Sequence, residues 1–329
     1  MKIVLGVVNE GDDISGLSMV TLFNNLTSLK KEMAEESISL HLTLRIVSSN
    51  PQSLFCRFAH LIFNDVEILS PRDWSLLKFP PQKNGSFSTY WKFDLVQSLK
   101  EDECLIYIDA DAIILRRFHI GSIINQIMKL LLINSNLNKT GVLLMVPSHR
   151  PNLERMGYTG SANPYGYFNA GVFLALNPPP PTTEVLASTY NDFFYGNSEL
   201  LFWHDQDLIN ALYSPIIHPI PFRYNVSSGM LMRQFYGITR LNYLAEREIM
   251  KPVVAHASGG ILSTTSYYPW RDNFISAAQN LLQTFPVESQ MEIAIKNFIR
   301  STRISWGRKE YHKLSITLQR IYLAFRNRV

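Results

Sequence analysis

Cysteine is nearly absent, with only Cys56 and Cys104 in 329 residues. Two thiols so far apart exclude a disulfide framework, so a reducing compartment is expected. No stretch reaches 18 apolar residues without a polar interruption, which argues against a membrane-spanning helix. Met1-Lys2 leads straight into Ile3–Val8, a run too short to span a bilayer and without signal-peptide layout. A cytoplasmic location is the expectation, on which the Asn-X-Ser/Thr sequons at Asn25, Asn84, Asn138 and Asn225 read as chance. There are no internal repeats, and low complexity is confined to Pro178–Pro181. Neither charge sign dominates the first 290 residues. From Met291 onward, nine Lys/Arg stand against Glu292 and Glu310, so the basicity belongs to the tail.

What is present is a globular composition, 46% hydrophobic and 18% charged, sufficient for one large or two smaller domains. Lys2–Val8 reads as a strand and Ser18–Met33 as a helix, with Met19, Leu22, Phe23, Leu26 and Leu29 at helical spacing. Leu40–Val47 alternates as a strand, Asp73–Gly85 is loop, Ser88–Lys100 is helix and Leu105–Ile108 is strand. A helical segment near Ile120–Ile133, strands at Val142–Val146 and Gly171–Leu176, helices at Thr182–Phe194 and Asp205–Tyr213, and a short strand Val253–Ala255 complete the pattern. Alternating strands and helices predict an α/β fold, a mostly parallel central sheet with helices on both faces. Ligands of such sheets sit at the carboxyl ends of strands.

Asp109 and Asp111 fall at such an end, after the buried run Leu105-Ile106-Tyr107-Ile108. Side chains two apart in extended chain share a face, so both carboxylates can approach one ion. Two unpaired carboxylates there are costly, and hard cations such as Mg²⁺ or Mn²⁺ prefer oxygen ligands. The alternative is a solvated turn, where Asp is common. His256 ends a short apolar strand and can complete an O,O,N set or simply hydrogen-bond. The Ser258-Gly259-Gly260 turn lets backbone amides approach an anion, or is an ordinary turn. Asp205-Gln206 opens a helix, where it serves the helix dipole or projects into a cleft. Asn169 bridges hydroxyls or closes a turn, and Lys92 faces solvent or neutralises an anionic substrate.

In chain order, Ser88-Thr89-Tyr90-Trp91-Lys92, Ile106-Tyr107-Ile108-Asp109-Ala110-Asp111 and Tyr167-Phe168-Asn169-Ala170-Gly171-Val172 are followed by Asp205-Gln206-Asp207-Leu208-Ile209-Asn210, Arg223-Tyr224-Asn225-Val226, His256 and Pro269-Trp270. This ordered set, covering Lys2 to Trp270, resembles the retaining glycosyltransferases of the GT-A fold, most nearly glycosyltransferase family 8. The resemblance implies that Asp109, Asp111 and His256 bind Mn²⁺ (or Mg²⁺), which holds the diphosphate of a UDP-sugar. It implies that Val7, Val8 and Asn9 line the uridine pocket, and that Ala110 and Gly259 lie against the donor. Lys92, Asn169 and Asp205 would touch the sugar, with Gln206 under the anomeric carbon. A glycan, lipid-linked saccharide or protein would be the acceptor. The alternative on the same fold is a nucleotide-sugar hydrolase or an impaired binding protein. Three positions depart from the family pattern. Asn9-Glu10-Gly11 replaces an Asp-rich, Tyr-containing loop, Tyr268 replaces a Lys before Pro-Trp, and Lys92 replaces Arg.

The expected organisation is a GT-A domain over 1–275 and a basic helical extension over 276–329. Tyr311, Leu314, Leu318, Ile321, Tyr322 and Phe325 recur at helical spacing, with Lys309, Lys313, Arg320, Arg326 and Arg328 on other faces. Residues 291–329 therefore suit contact with an anionic membrane, or packing on the catalytic domain with a solvated basic face. No nucleic-acid module surrounds them.

Overall fold

The computed structural model describes residues 1–10, 16–36, 40–77, 86–133, 141–148, 167–194, 205–227, 251–257 and 270–304. Strand β1 (Lys2–Val8) lies between β2 (Leu42–Val47) and β4 (Glu103–Ile108), parallel to both, and β3 (Val66–Leu69) extends the parallel set beyond β2. These strands are near-continuous apolar runs because helices cover both faces. The alternation is visible in β1. Leu5 and Val7 face Leu22 and Asn25 of α1 (Leu17–Glu35), whereas Gly6 faces Leu95 of α3 (Lys92–Gln97), where an added Cβ would lie 3.1 Å from Leu95 Cδ1.

In the far half of the sheet one strand reverses direction. Strand β7 (Phe168–Leu176) runs antiparallel to β4 and to β6 (Val142–Pro147), and the short β8 (Ile217–Pro219) pairs with β6 to complete seven strands in the order β3-β2-β1-β4-β7-β6-β8. Four of the six neighbouring pairs are parallel. Between Met145 and Val146 the register against β7 jumps from Phe173 to Asn169. Ala170–Val172 therefore bow out of the β6 ladder, an irregularity of the kind that re-aims groups near sites.

A second sheet of three strands positions the site. In it β10 (Val254–His256) pairs antiparallel with β5 (Ala112–Ile114) and parallel with β9 (Val226–Ser227). Helix α1 clamps β5 with side chains rather than with apolar contact alone. Asn25 Nδ2 donates to Ala112 O (2.9 Å) and its Oδ1 accepts from Ile114 N (2.8 Å). Asn25 and Asn225 are both buried, so two of the four sequons are inaccessible, while Asn84 and Asn138 lie outside the described residues.

Several elements differ from the sequence expectation. The segment expected as one helix from Ser88 is a 3₁₀ turn over Ser88–Trp91 followed by α3, ending at Gln97. Strand β7 begins at Phe168 rather than Gly171. Helix α2 (Leu54–Ile62), opened by a Ser53 side chain that accepts from Cys56 N, and strand β3 are additional. Both are short, and their periodicity is weak. Helices α4 (Ile120–Ile133), α5 (Thr183–Phe194) and α6 (Asp205–Tyr213) match expectation. Helix α7 (Arg271–Thr284) runs through position 275 and packs on α1, and α8 (Ser289–Ile304) packs on α7, α1 and α2. Among the described residues, no helix is long and apolar enough to cross a membrane.

Candidate active site

Strand β4 ends at Ile108, and the chain turns at once into β5, with Ala112 N donating to Asp109 O (2.9 Å). Thr21 of α1 holds the turn by donating to Ala110 O (2.6 Å). Because β7 is antiparallel to β4, its first residues arrive where β4 leaves, and Asp109 N donates to Gly171 O (2.8 Å). The 112↔256 pairing of β5 with β10 delivers the imidazole, and Ala257 N donates to Asp111 O (2.9 Å). Four separate segments thus meet where β4 ends.

His256 Nε2 lies 3.0 Å from Asp111 Oδ1 and 3.4 Å from Asp109 Oδ2. One ligand atom from each of the three residues falls within 4.8 Å of the others. An octahedral ion with bonds of about 2.1 Å sets adjacent donors roughly 3 Å apart, so the spacing suits a small divalent cation. The donor set, two carboxylates and an imidazole, also matches that ion class. Glycine at 171 is required, since a Cβ there would stand 2.4 Å from His256 Cε1 and 3.0 Å from Asp109 Oδ2.

Lys92 and Asp205 adjoin this group. Lys92 Nζ contacts Asp205 Oδ2 at 2.6 Å, Asp109 Oδ1 at 3.1 Å and Ala170 O at 3.3 Å, which accounts for all three ammonium hydrogens. Thr89 donates to Asp205 Oδ1 (2.6 Å). Gln206 Oε1 accepts from Ala170 N (3.2 Å). Tyr107, buried and stacked on Phe173, donates its hydroxyl to Asp109 Oδ1. Asn169 Oδ1 accepts from Gly171 N (2.8 Å) and from Asn225 Nδ2, and Asn225 Oδ1 faces His256 Nδ1 at 3.1 Å.

The electrostatics follow from burial set against neighbours. Burial pushes the Asp109 carboxyl up, and it stays raised despite Lys92 and His256. Burial also pushes Asp111 up, but His256 outweighs it and holds Asp111 below the usual carboxylate range. Desolvation pulls His256 down, yet Asp111 and Asp109 leave it raised. Lys92 is likewise raised, because Asp109 and Asp205 outweigh its burial.

Of the residues expected at the site, Lys92, Asp109, Asp111, Asn169, Asp205, Gln206 and His256 form one hydrogen-bonded group. Ala110 sits in its turn. Val7 and Val8 end β1 beside it and Asn9 follows them, Gly6 being paired with Tyr107. Gly259 lies outside the described residues, as do Tyr268 and Pro269. Tyr107, Thr89 and Gly171 were not singled out from sequence. Each stands inside a motif that was recognised, but nothing in its spacing marks it as a contact.

No curated protein sequence matches the chain. Among solved structures, the galactosyltransferase LgtC in complex with donor and acceptor sugar analogs shares 15% identity over 89% of this chain and 100% of its own, with a TM-score of 0.60. The bifunctional glycosyltransferase WbbM shares 16% identity over 89% of this chain and 51% of its own, with a TM-score of 0.55. These likenesses establish the GT-A fold. The model of glycosyl transferase family 8 matches residues 21–261, and the chain belongs to that family.

Proposed function

We propose that the protein is a metal-dependent, retaining glycosyltransferase that moves a hexose from a UDP-sugar to a glycan, lipid-linked or protein acceptor. The observation that carries this reading is the convergence of Asp109, Asp111 and His256 beside the Lys92–Asp205–Gln206 group. Donor and acceptor sugar analogs in LgtC support the substrate class. Asp109, Asp111 and His256 hold a divalent cation, Mn²⁺ or Mg²⁺, which when bound neutralises charge on the leaving diphosphate as a Lewis acid.

Val7, Val8 and Asn9 line the uridine pocket, with Ala110 and Gly259 against the donor. Asp205, held on one oxygen by Thr89 and on the other by Lys92, presents a fixed acceptor to a sugar hydroxyl. Its charge is already compensated, which makes it a poor nucleophile. Gln206 places a carboxamide oxygen near the anomeric carbon, where it stabilises oxocarbenium character without forming an ester. A Gln-to-Glu active-site mutant of LgtC supports a glutamine role in this fold. Attack by the acceptor on the leaving-group face then retains configuration. We further place the enzyme in the cytoplasm, with residues 291–329 touching anionic lipid.

Donor turnover measured with Mn²⁺ and with EDTA tests the reading across a panel of UDP-sugars. Turnover that requires Mn²⁺ and gives a retained anomer supports it. Equal turnover in EDTA overturns metal dependence, and a glycosyl adduct trapped on Gln206 or Asp205 overturns same-face attack.

A further inference from the structure

We propose that Tyr107 is a positioning residue that divides the Asp109 carboxylate, so that Oδ1 is spent on the protein and Oδ2 alone meets the cation. The role rests on the reading of Asp109, Asp111 and His256 as ligands. Residues 107 and 109 stand two apart at the end of β4, so their side chains share a face. Tyr107 pairs with Gly6 of β1 on one side and with Phe173 of β7 on the other. Its ring stacks on Phe173 with centroids 4.8 Å apart, and Lys92 Nζ lies over it at 5.1 Å from the ring centre. Neighbours on two strands and α3 thus fix the ring before any ligand arrives. The residue is 1% exposed, so bulk water does not compete for its hydroxyl, which donates to Asp109 Oδ1.

The two oxygens of Asp109 have different surroundings. Oδ1 takes the Tyr107 hydroxyl and, at 3.1 Å, Lys92 Nζ. Oδ2 lies 3.4 Å from His256 Nε2, in the space that Gly171 leaves open, where an added Cβ would come within 3.0 Å of it. Oδ2 is therefore the oxygen that belongs to the ligand cluster. Lys92 alone would hold Asp109 loosely. It sits closer to Asp205, at 2.6 Å, and also serves Ala170 O. The tyrosine supplies the bond that Asp109 does not share with a second carboxylate. Hydrogen bonds to a carboxylate are among the stronger ones, and chelation through both oxygens would break this one. A small ion in octahedral geometry is served by the single oxygen that remains. Tyrosine suits the position because it combines an apolar ring, buried in the sheet, with one donor at its tip.

Tyr107→Phe keeps the stacked ring and removes the hydroxyl. Calorimetry on the full-length variant should show Mn²⁺ bound about 10–100-fold more weakly than by wild type, with a near-native circular dichroism spectrum. A packing role alone predicts equal affinities. Equal affinities overturn the proposal and leave the metal reading intact. The second arm is a crystal of the wild-type chain grown with Mn²⁺. It should show Oδ2 on the ion and Oδ1 still bonded to Tyr107. An ion held by both oxygens, or by Oδ1, overturns the proposal. If the variant does not fold, that crystal decides. A wild-type chain that binds no Mn²⁺ overturns the metal reading and this role with it.

Discussion

Lys92 spends its three hydrogens on two carboxylates and a carbonyl. Arg, with a planar fork, would not reproduce that tripod. Removing one partner of a buried ion pair costs about 3–5 kcal/mol, because the remaining charge stays desolvated. Lys92→Met should therefore lower the metal-free thermal midpoint sharply, and Mn²⁺ should restore part of the loss, since the cation compensates Asp109. A midpoint that Mn²⁺ does not raise more in the variant than in wild type refutes this role. The ligands themselves should behave differently. Asp111→Asn and His256→Ala should keep the metal-free fold while losing more than about 100-fold in Mn²⁺ affinity, read by calorimetry.

The site is only as precise as the elements that carry it. Gly171→Ala should leave the sheet ladders intact yet push the imidazole out of place, given the 2.4 Å approach to Cε1. Weaker Mn²⁺ binding with a near-native circular dichroism spectrum is the expected result. Elsewhere in the sheet, Arg45 of β2 is buried and pairs with Glu103 of β4 at 2.9 Å and with Glu67 of β3 at 2.6 Å. Burial raises the Glu103 carboxyl, but the Arg45 bonds and the Lys100 N–H outweigh it and hold it low. A depressed folded-state pKa contributes stability above the unfolded value, about 4.3, and that contribution is lost as pH falls through the folded value. Wild type should therefore lose thermal stability in acid faster than Glu103→Gln, and matching acid slopes would remove this contribution.

At the scale of the molecule, helices α7 and α8 lie on α1, with Phe274, Leu281, Met291, Ile295 and Phe298 buried. Truncation before α8 should therefore expose core, whereas a cut after Ile304 keeps both helices and removes six of the nine basic residues counted from Met291. Liposomes rich in anionic lipid should pellet the full chain more than the chain ending at Ile304. Equal pelleting would end the membrane proposal. A donor that binds the native state alone at a hundred times its Kd should add about 2.7 kcal/mol of stability, measurable as a rise in melting temperature that EDTA abolishes.

The amino-acid sequence alone determined the parts that depend on local pattern. The apolar runs of β1, β2 and β4, the periodicity of α1, and the placement of Asp109 and Asp111 at a strand end were legible because period and punctuation are properties of neighbouring residues. The ordered motifs pointed to the family, and with it to His256. Strand β3 and helix α2 were not legible, being too short to show a period. The reversal of β7, its bowed register at Ala170–Val172 and the pairing of β5 with β10 were decided only in three dimensions. So were the roles of Gly171, Tyr107 and Asn225, because hydrogen-bond direction and close approach depend on which distant segments meet. A sequon, a strand glycine and a core tyrosine look ordinary until the sheets bring them against one imidazole and one carboxylate.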